Sequence, residues 1–267
     1  VSRRLEAVQA LDSEKGGSVN DTKSPRSLEP VAFAAPRIRH EKVDWEVPQC
    51  ILDRLAQAYD EDPQGIHARA QASKFAWSGV VDAAKAAWIG GTELLSYGEL
   101  LPAGTEKALA VMAPGLHLKR QHEVALELGC GRGRAALHLF LAGATVLGVE
   151  LALERYNKAI ETIERLAHRC PDAFRVEFQN SKARLICTDT TSAKYNSVLE
   201  LRYGDFFQLV EQEEIVAATL IFLQVRLPSG SWPRVRSLLD ATSPGCRVLT
   251  QQDLREVYRG ANPPFPF

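Results

Sequence analysis

The chain has 267 residues, 45% hydrophobic and 24% charged, with 32 Lys plus Arg against 33 Asp plus Glu for a formal net charge of −1. A chain this long buries roughly 70–75% of its unfolded surface, and its composition excludes wholesale disorder, a collagen repeat or a coiled coil. The near-neutral balance excludes a generally basic nucleic-acid binder, so any such contact must come from local patches. The longest uncharged apolar run lies near residues 215–223, short of the roughly 20 residues a membrane helix needs, and no membrane partner is expected. The chain opens on Val1 rather than Met, which reads as a trimmed product or a fragment, and no charged-then-apolar leader is visible. Cys50, Cys130, Cys170, Cys187 and Cys246 are widely spaced. No CxxC pair or zinc-like Cys/His spacing occurs, so buried thiols in a reducing compartment are expected, and no metal.

Residues 1–47 read as a flexible N-terminal extension, with Gly16–Gly17 and scattered Ser and Pro but no lasting periodicity. Residues 48–115 read as a helical N-terminal subdomain. Ile51, Leu52, Leu55 and Tyr59 share one helix face, and Phe75, Val80, Val81 and Trp88 follow as core anchors. Gly90–Gly91 breaks the pattern, and Thr105 is read as the cap of a helix running to Met112, stopped by Pro114–Gly115.

Residues 116–267 alternate strand and helix signals. Strands are expected at 124–128, 145–150, 199–203, 219–224 and 247–250, and helices at 133–141, 152–168 and 231–239. In the long helix Leu153, Tyr156, Ile160, Ile163 and Leu166 repeat at helical spacing. This order implies parallel βαβ units, hence an α/β fold with a doubly wound, Rossmann-like sheet. Residues 174–196 resist the pattern and read as an insertion, with a possible extra strand at 184–187 and turn-like residues at 189–193.

The chemistry is carried by Glu127-Leu128-Gly129-Cys130-Gly131-Arg132-Gly133, which follows a strand and opens a helix. Gly129, Gly131 and Gly133 let the backbone turn tightly and approach a ligand, and the helix start offers free N–H groups. Glu150 closes the next strand 21 residues after Gly129, where a carboxylate can take both hydroxyls of a ribose. Two ligands compete. A dinucleotide site places its third glycine one position later than Gly133 and needs no acid ahead of the first. Glu127 instead suits a ligand with a cationic amine, as on the methionine part of S-adenosylmethionine, which also brings a ribose. At the end of the third of these strands, Asp205 can accept a hydrogen bond from an adenine amino group and Phe206 can flank the ring; the plainer alternative is a Gly204–Asp205 turn beside a core Phe206. Cys130 is read as a small loop filler.

These segments resemble the class I S-adenosylmethionine-dependent methyltransferases, and within them the Dot-one (disruptor of telomeric silencing) family of histone lysine methyltransferases that lack a SET domain. Tyr97-Gly98-Glu99 resembles the family loop ahead of the glycine motif that touches the cofactor. Residues 127–133 resemble the glycine motif with Glu for its usual Asp, residues 148–150 the ribose-binding strand end, and residues 203–206 its Arg-Gly-Asp-Phe segment. Residues 220–224 are similar to its fourth strand, with Gln224 where the family prefers Asn. The likeness covers roughly residues 95–252, and the family's antiparallel sheet end is missing or very short here.

The resemblance implies a nuclear chromatin regulator that binds the nucleosome, through core histones and DNA phosphate, and methylates a lysine of a core histone of the H-three type. Tyr97 and Gln224 are the candidates for lining the methyl-transfer face. Cofactor-binding candidates are Tyr97, Gly98, Glu99, Glu127, Gly129, Gly131, Gly133, Glu150, Asp205 and Phe206. Candidate docking arginines and lysines are Lys119 and Arg120 beside His122, and Arg226, Arg234, Arg236 and Arg255; Arg165 and Arg169, beside His168, close the long helix, where its dipole alone favours basic residues. A class I methyltransferase acting on another protein or a small molecule, and a non-enzymatic chromatin-binding module, are the alternatives.

Overall fold

The computed structural model describes residues 46–60, 100–114, 123–179, 182–192, 194–225, 227, 229–251, 253–261 and 263. The extension expected at 1–47, apart from its last two residues, lies outside them. So do Phe75, Val80, Val81, Trp88, Tyr97, Gly98, Glu99, Lys119, Arg120, His122 and Arg226.

The architecture is α/β around a mixed, mostly parallel sheet. Its strands are β1 (Val124–Leu128), β2 (Thr145–Glu150), β3 (Phe174–Gln179), β4 (Lys182–Cys187), β5 (Val198–Tyr203), β6 (Leu220–Leu223) and β7 (Arg247–Thr250), in the order β3-β4-β5-β2-β1-β6-β7. The five strands β5-β2-β1-β6-β7 run parallel. The segment read as an insertion is an antiparallel hairpin, β3–β4, with β4 antiparallel to β5. The strand expected at 184–187 begins two residues earlier, at Lys182, and its partner β3 has a mixed, half-exposed burial pattern that conceals it from periodicity.

The described helices are α1 (Gln49–Tyr59), α2 (Pro102–Met112), α3 (Arg134–Ala142), α4 (Leu153–Arg169), α5 (Phe206–Leu209), α6 (Gln212–Ala217), α7 (Trp232–Asp240) and α8 (Leu254–Val257). Successive strand residues feed opposite faces. Ala125, Val146, Leu220 and Phe222 join Leu55, Leu109, Phe140 and Ile163 of α1–α4 in one core. Leu126, Leu147, Ile221 and Leu223 join Ile215, Val235 and Leu239 in the other. Thr105 does not cap α2. The N-cap is Leu101, with Pro102 supplying the pre-set φ of a first helical turn, and the Thr105 hydroxyl donates back to the Leu101 carbonyl at 3.4 Å.

Helix α1 is fastened at its C-terminal end by α4. Arg165 Nη1 donates to the Ala58 carbonyl at 2.7 Å and Arg169 Nη1 to the Gln57 carbonyl at 2.6 Å, while Arg169 also pairs with Asp60. The last carbonyls of a helix lack intrahelical partners and sit at its negative pole. The basic end of α4 is therefore used inside the fold. Replacing Arg165 by Met should cost about 1 kcal/mol, one hydrogen bond's worth, and lower the thermal midpoint by about 2–4 °C. A circular-dichroism melt identical to wild type would show that the contact contributes nothing.

Candidate functional site

The chain leaves β1 for β2 on one side and reaches β6 on the other only after β5, so strand order reverses between β1 and β6. A crevice at the carboxyl ends of the strands is expected at such a switch point. The loop after β1 stands there. Gly129 and Cys130 both donate to the Val149 carbonyl, at 2.8 and 3.0 Å, which folds the loop back over β2. Gly129 and Gly131 have φ of +84° and +60°, the left-handed region that costs other residues about 1 kcal/mol or more. A Cβ on Gly129 would also lie 2.2 Å from Val225 Cγ1. A Cβ on Gly133 would stand 3.3 Å from that of Ala159, so this glycine lets α3 and α4 approach. Cys130 is buried, and its Sγ would lie 3.1 Å from a Cβ on Gly148. It fills the space that glycine leaves, as a loop filler should.

Glu150 is 5% exposed, and its carboxylate joins two backbone segments. One oxygen accepts from Gly131 N–H and the other from Ala152 N–H, both at 2.7 Å. Burial pushes this carboxyl above the usual range, against the Arg155 charge and the N–H groups of Ala152, Gly131 and Leu151. Glu127, 3% exposed, stands at the end of β1 on the same sheet face, level with Gly148 of β2 and Phe222 of β6. Gln224, just past β6, donates to Glu127 Oε1 at 3.5 Å. The structure thus brings Glu127, Glu150, Gln224 and the three loop glycines to one end of adjacent parallel strands.

Asp205 follows β5 as the N-cap of α5, accepting from Phe207 N–H at 3.0 Å. Its other oxygen faces Arg234 at 3.4 Å, and the Arg234 guanidinium lies 4.2 Å from the Phe207 ring centre. Phe206 is buried in the second core, with its ring 4.4 Å from that of Phe207. Arg202 steadies this corner, donating to the Leu209 carbonyl at 2.6 Å and to Glu214 at 2.9 Å. Arg234, assigned from sequence to a docking surface, is turned to Asp205, and Arg255 pairs with Asp253 at 2.9 Å.

Sequence reasoning missed two supports of the site. Tyr59 donates from its hydroxyl to the Arg132 carbonyl at 3.0 Å, with Arg134 Cζ 4.5 Å from its ring centre. In the sequence it is only the last apolar position of α1. Arg155, 6% exposed, places its charge near Glu150. Its position in the first turn of the long helix was the available signal. Among the described residues no group of three or more His, Cys, Asp or Glu could hold a metal ion, and no helix is long and apolar enough to cross a membrane.

Gly129→Ala should be severely destabilising, and Gly129→Ala with Val225→Ala should recover part of the loss, because the nearest clashing atom is then gone. Urea denaturation of the four proteins of this cycle measures the coupling; additive losses would sink the packing account. Glu150→Ala orphans two buried N–H groups, a loss of about 1–3 kcal/mol each. Because burial raises the folded carboxyl above its unfolded value, the folded state binds the extra proton first as pH falls. The stability gap favouring wild type over Glu150→Ala should therefore widen from pH 7 toward pH 5. A gap that narrows would reverse the sign.

No protein-family model matches the chain, and a search of curated proteins finds no match to it.

Proposed function

We propose that the chain is a methyltransferase of the Rossmann-like class I type, using S-adenosylmethionine and acting on a lysine of a core histone (H-three type) within the nucleosome. One observation carries the cofactor reading. A buried carboxylate, Glu150, holds the N–H of Gly131 in a glycine loop at the end of the neighbouring parallel strand, and a second buried carboxylate, Glu127, stands where that loop begins.

The donor set fits the ligand. Glu150, whose two oxygens accept from Gly131 and Ala152 N–H, is the carboxylate proposed to meet the two hydroxyls of a ribose. Glu127 supplies negative charge for the cationic α-amine, and Gln224 orients that carboxylate. Asp205 presents a carboxylate 15% exposed for an exocyclic amine. When bound, the cofactor supplies a sulfonium methyl group as electrophile. The chain's own residues bind, orient and exclude water. The acceptor lysine must be neutral to attack, far below its free pKa of about 10.4, and an apolar approach channel favours the neutral amine. Tyr97 and Gln224 are the residues proposed to line that face. The histone substrate, and with it a nuclear location, rests on the family resemblance at residues 97–99 and 203–206.

The test is incubation with radiolabelled S-adenosylmethionine and either nucleosomes or free core histones, with Gly131→Arg as the blank. The variant should keep its circular-dichroism spectrum and lose all labelling. Label on one histone, in nucleosomes only, is the expected result. Labelling of other extract proteins but not chromatin would reassign the acceptor to another protein or a small molecule. Absence of cofactor binding by calorimetry would overturn the enzyme reading altogether.

A further inference from the structure

We propose that a second cavity, at the amino-terminal edge of the parallel strands, binds a small organic monocarboxylate with an apolar body. The cavity has a volume of about 240 Å³ and lies among the start of α1, the end of α3 and the loop after β4. Cys187 ends β4, which runs antiparallel, so this end sits beside Val198, the first residue of β5. The loop glycines and Glu150 follow the opposite, carboxyl ends. Phe140 and Leu141 line the cavity from the last turn of α3, whose first turn adjoins the glycine loop. A nine-residue helix is about 13 Å long, so the two places are separate.

The lining combines an apolar floor with surplus positive charge. Ile51, Phe140 and Phe174 form the floor, the two rings 5.9 Å apart between centres. Arg54 and Lys194 bring two cations and Asp189 one anion. One oxygen of Asp189 accepts from the Thr191 hydroxyl at 2.6 Å and the Thr191 N–H at 2.9 Å, and its charge also acts on Arg54, so it offsets one of the two cations. Lys194 gives one donor to the Leu141 carbonyl, at the negative end of α3, and keeps two more. Arg54 bonds Gln57 and Cys170, and its guanidinium lies 5.8 Å from the Phe174 ring centre. Five N–H donors in a planar fork leave room for a carboxylate. Burial holds the Lys194 amine below its ordinary value, a cost that a bound anion would offset. The net charge of the lining, +1, matches one carboxylate. A cavity of about 150 Å³ holds benzene, so this one accommodates a fused two-ring body.

Calorimetric titration of the full chain with 2-naphthoate, and with neutral 2-naphthamide, tests the assignment. Naphthoate should bind and naphthamide should bind at least about tenfold more weakly, the loss of a charge-assisted hydrogen bond. Lys194→Met should weaken naphthoate by a similar factor. Cys50→Trp, at an exposed rim position of α1, should fill the mouth and abolish binding with the melt unchanged. Gly131→Arg should leave naphthoate affinity intact. Equal affinity for the amide, indifference to Lys194→Met or Cys50→Trp, or a loss in Gly131→Arg would each overturn the proposal, the last by moving the ligand to the other end of the sheet.

Discussion

A single buried carboxylate holds the carboxyl end of the parallel strands together. Glu150 sits at the end of β2, which lies between β1 and β5. Its two oxygens take the N–H of Gly131, in the loop after β1, and of Ala152, at the start of α4. Two loops that would otherwise be joined only through their strands are thereby fixed to each other. The arrangement carries a desolvation penalty, visible in the raised carboxyl. That penalty is tolerable because both oxygens are hydrogen-bonded and Arg155 stands nearby; an unpaired buried carboxylate would cost far more.

The glycine loop is then enclosed from several sides. Val225 occupies the space over Gly129, Ala159 of α4 closes on Gly133, and Cys130 seats itself over Gly148. Tyr59 reaches the Arg132 carbonyl from α1, and α1 is itself capped by Arg165 and Arg169 of α4. The loop is therefore a packed element whose conformation is set by its neighbours, the preorganisation that the proposed binding role requires. Helix α3 serves both ends of the sheet. Its start adjoins this loop and its last turn walls the cavity of about 240 Å³.

The parallel part of the fold was legible because its signals are local. Strands β1, β2 and β7 coincide with the expected spans, and the long helix is displaced by one residue. Buried parallel strands read as short apolar runs, and an amphipathic helix repeats at its own period. The hairpin β3–β4 was only half legible, because β3 mixes buried and exposed residues without strict alternation. Thr105 misled because a hydroxyl near a helix start looks like a cap, while Pro102 had already set the first turn. The short helices α5 and α6 were hidden by their length, too short for a period to show.

By itself the sequence determined the order of the five parallel strands and of the helices α3, α4 and α7, the glycine loop, and the acids at the ends of β1, β2 and β5. Each of these depends on residues within a few positions of one another. Only the tertiary structure decided what those residues touch. It turned the basic end of α4 into a cap for α1, set Arg234 on Asp205, laid Tyr59 on the loop, and gathered Arg54, Phe140, Phe174 and Lys194 around one cavity. Such pairings join residues far apart in the chain. Their cause is the strand order and helix packing that bring them together, which no local spacing encodes.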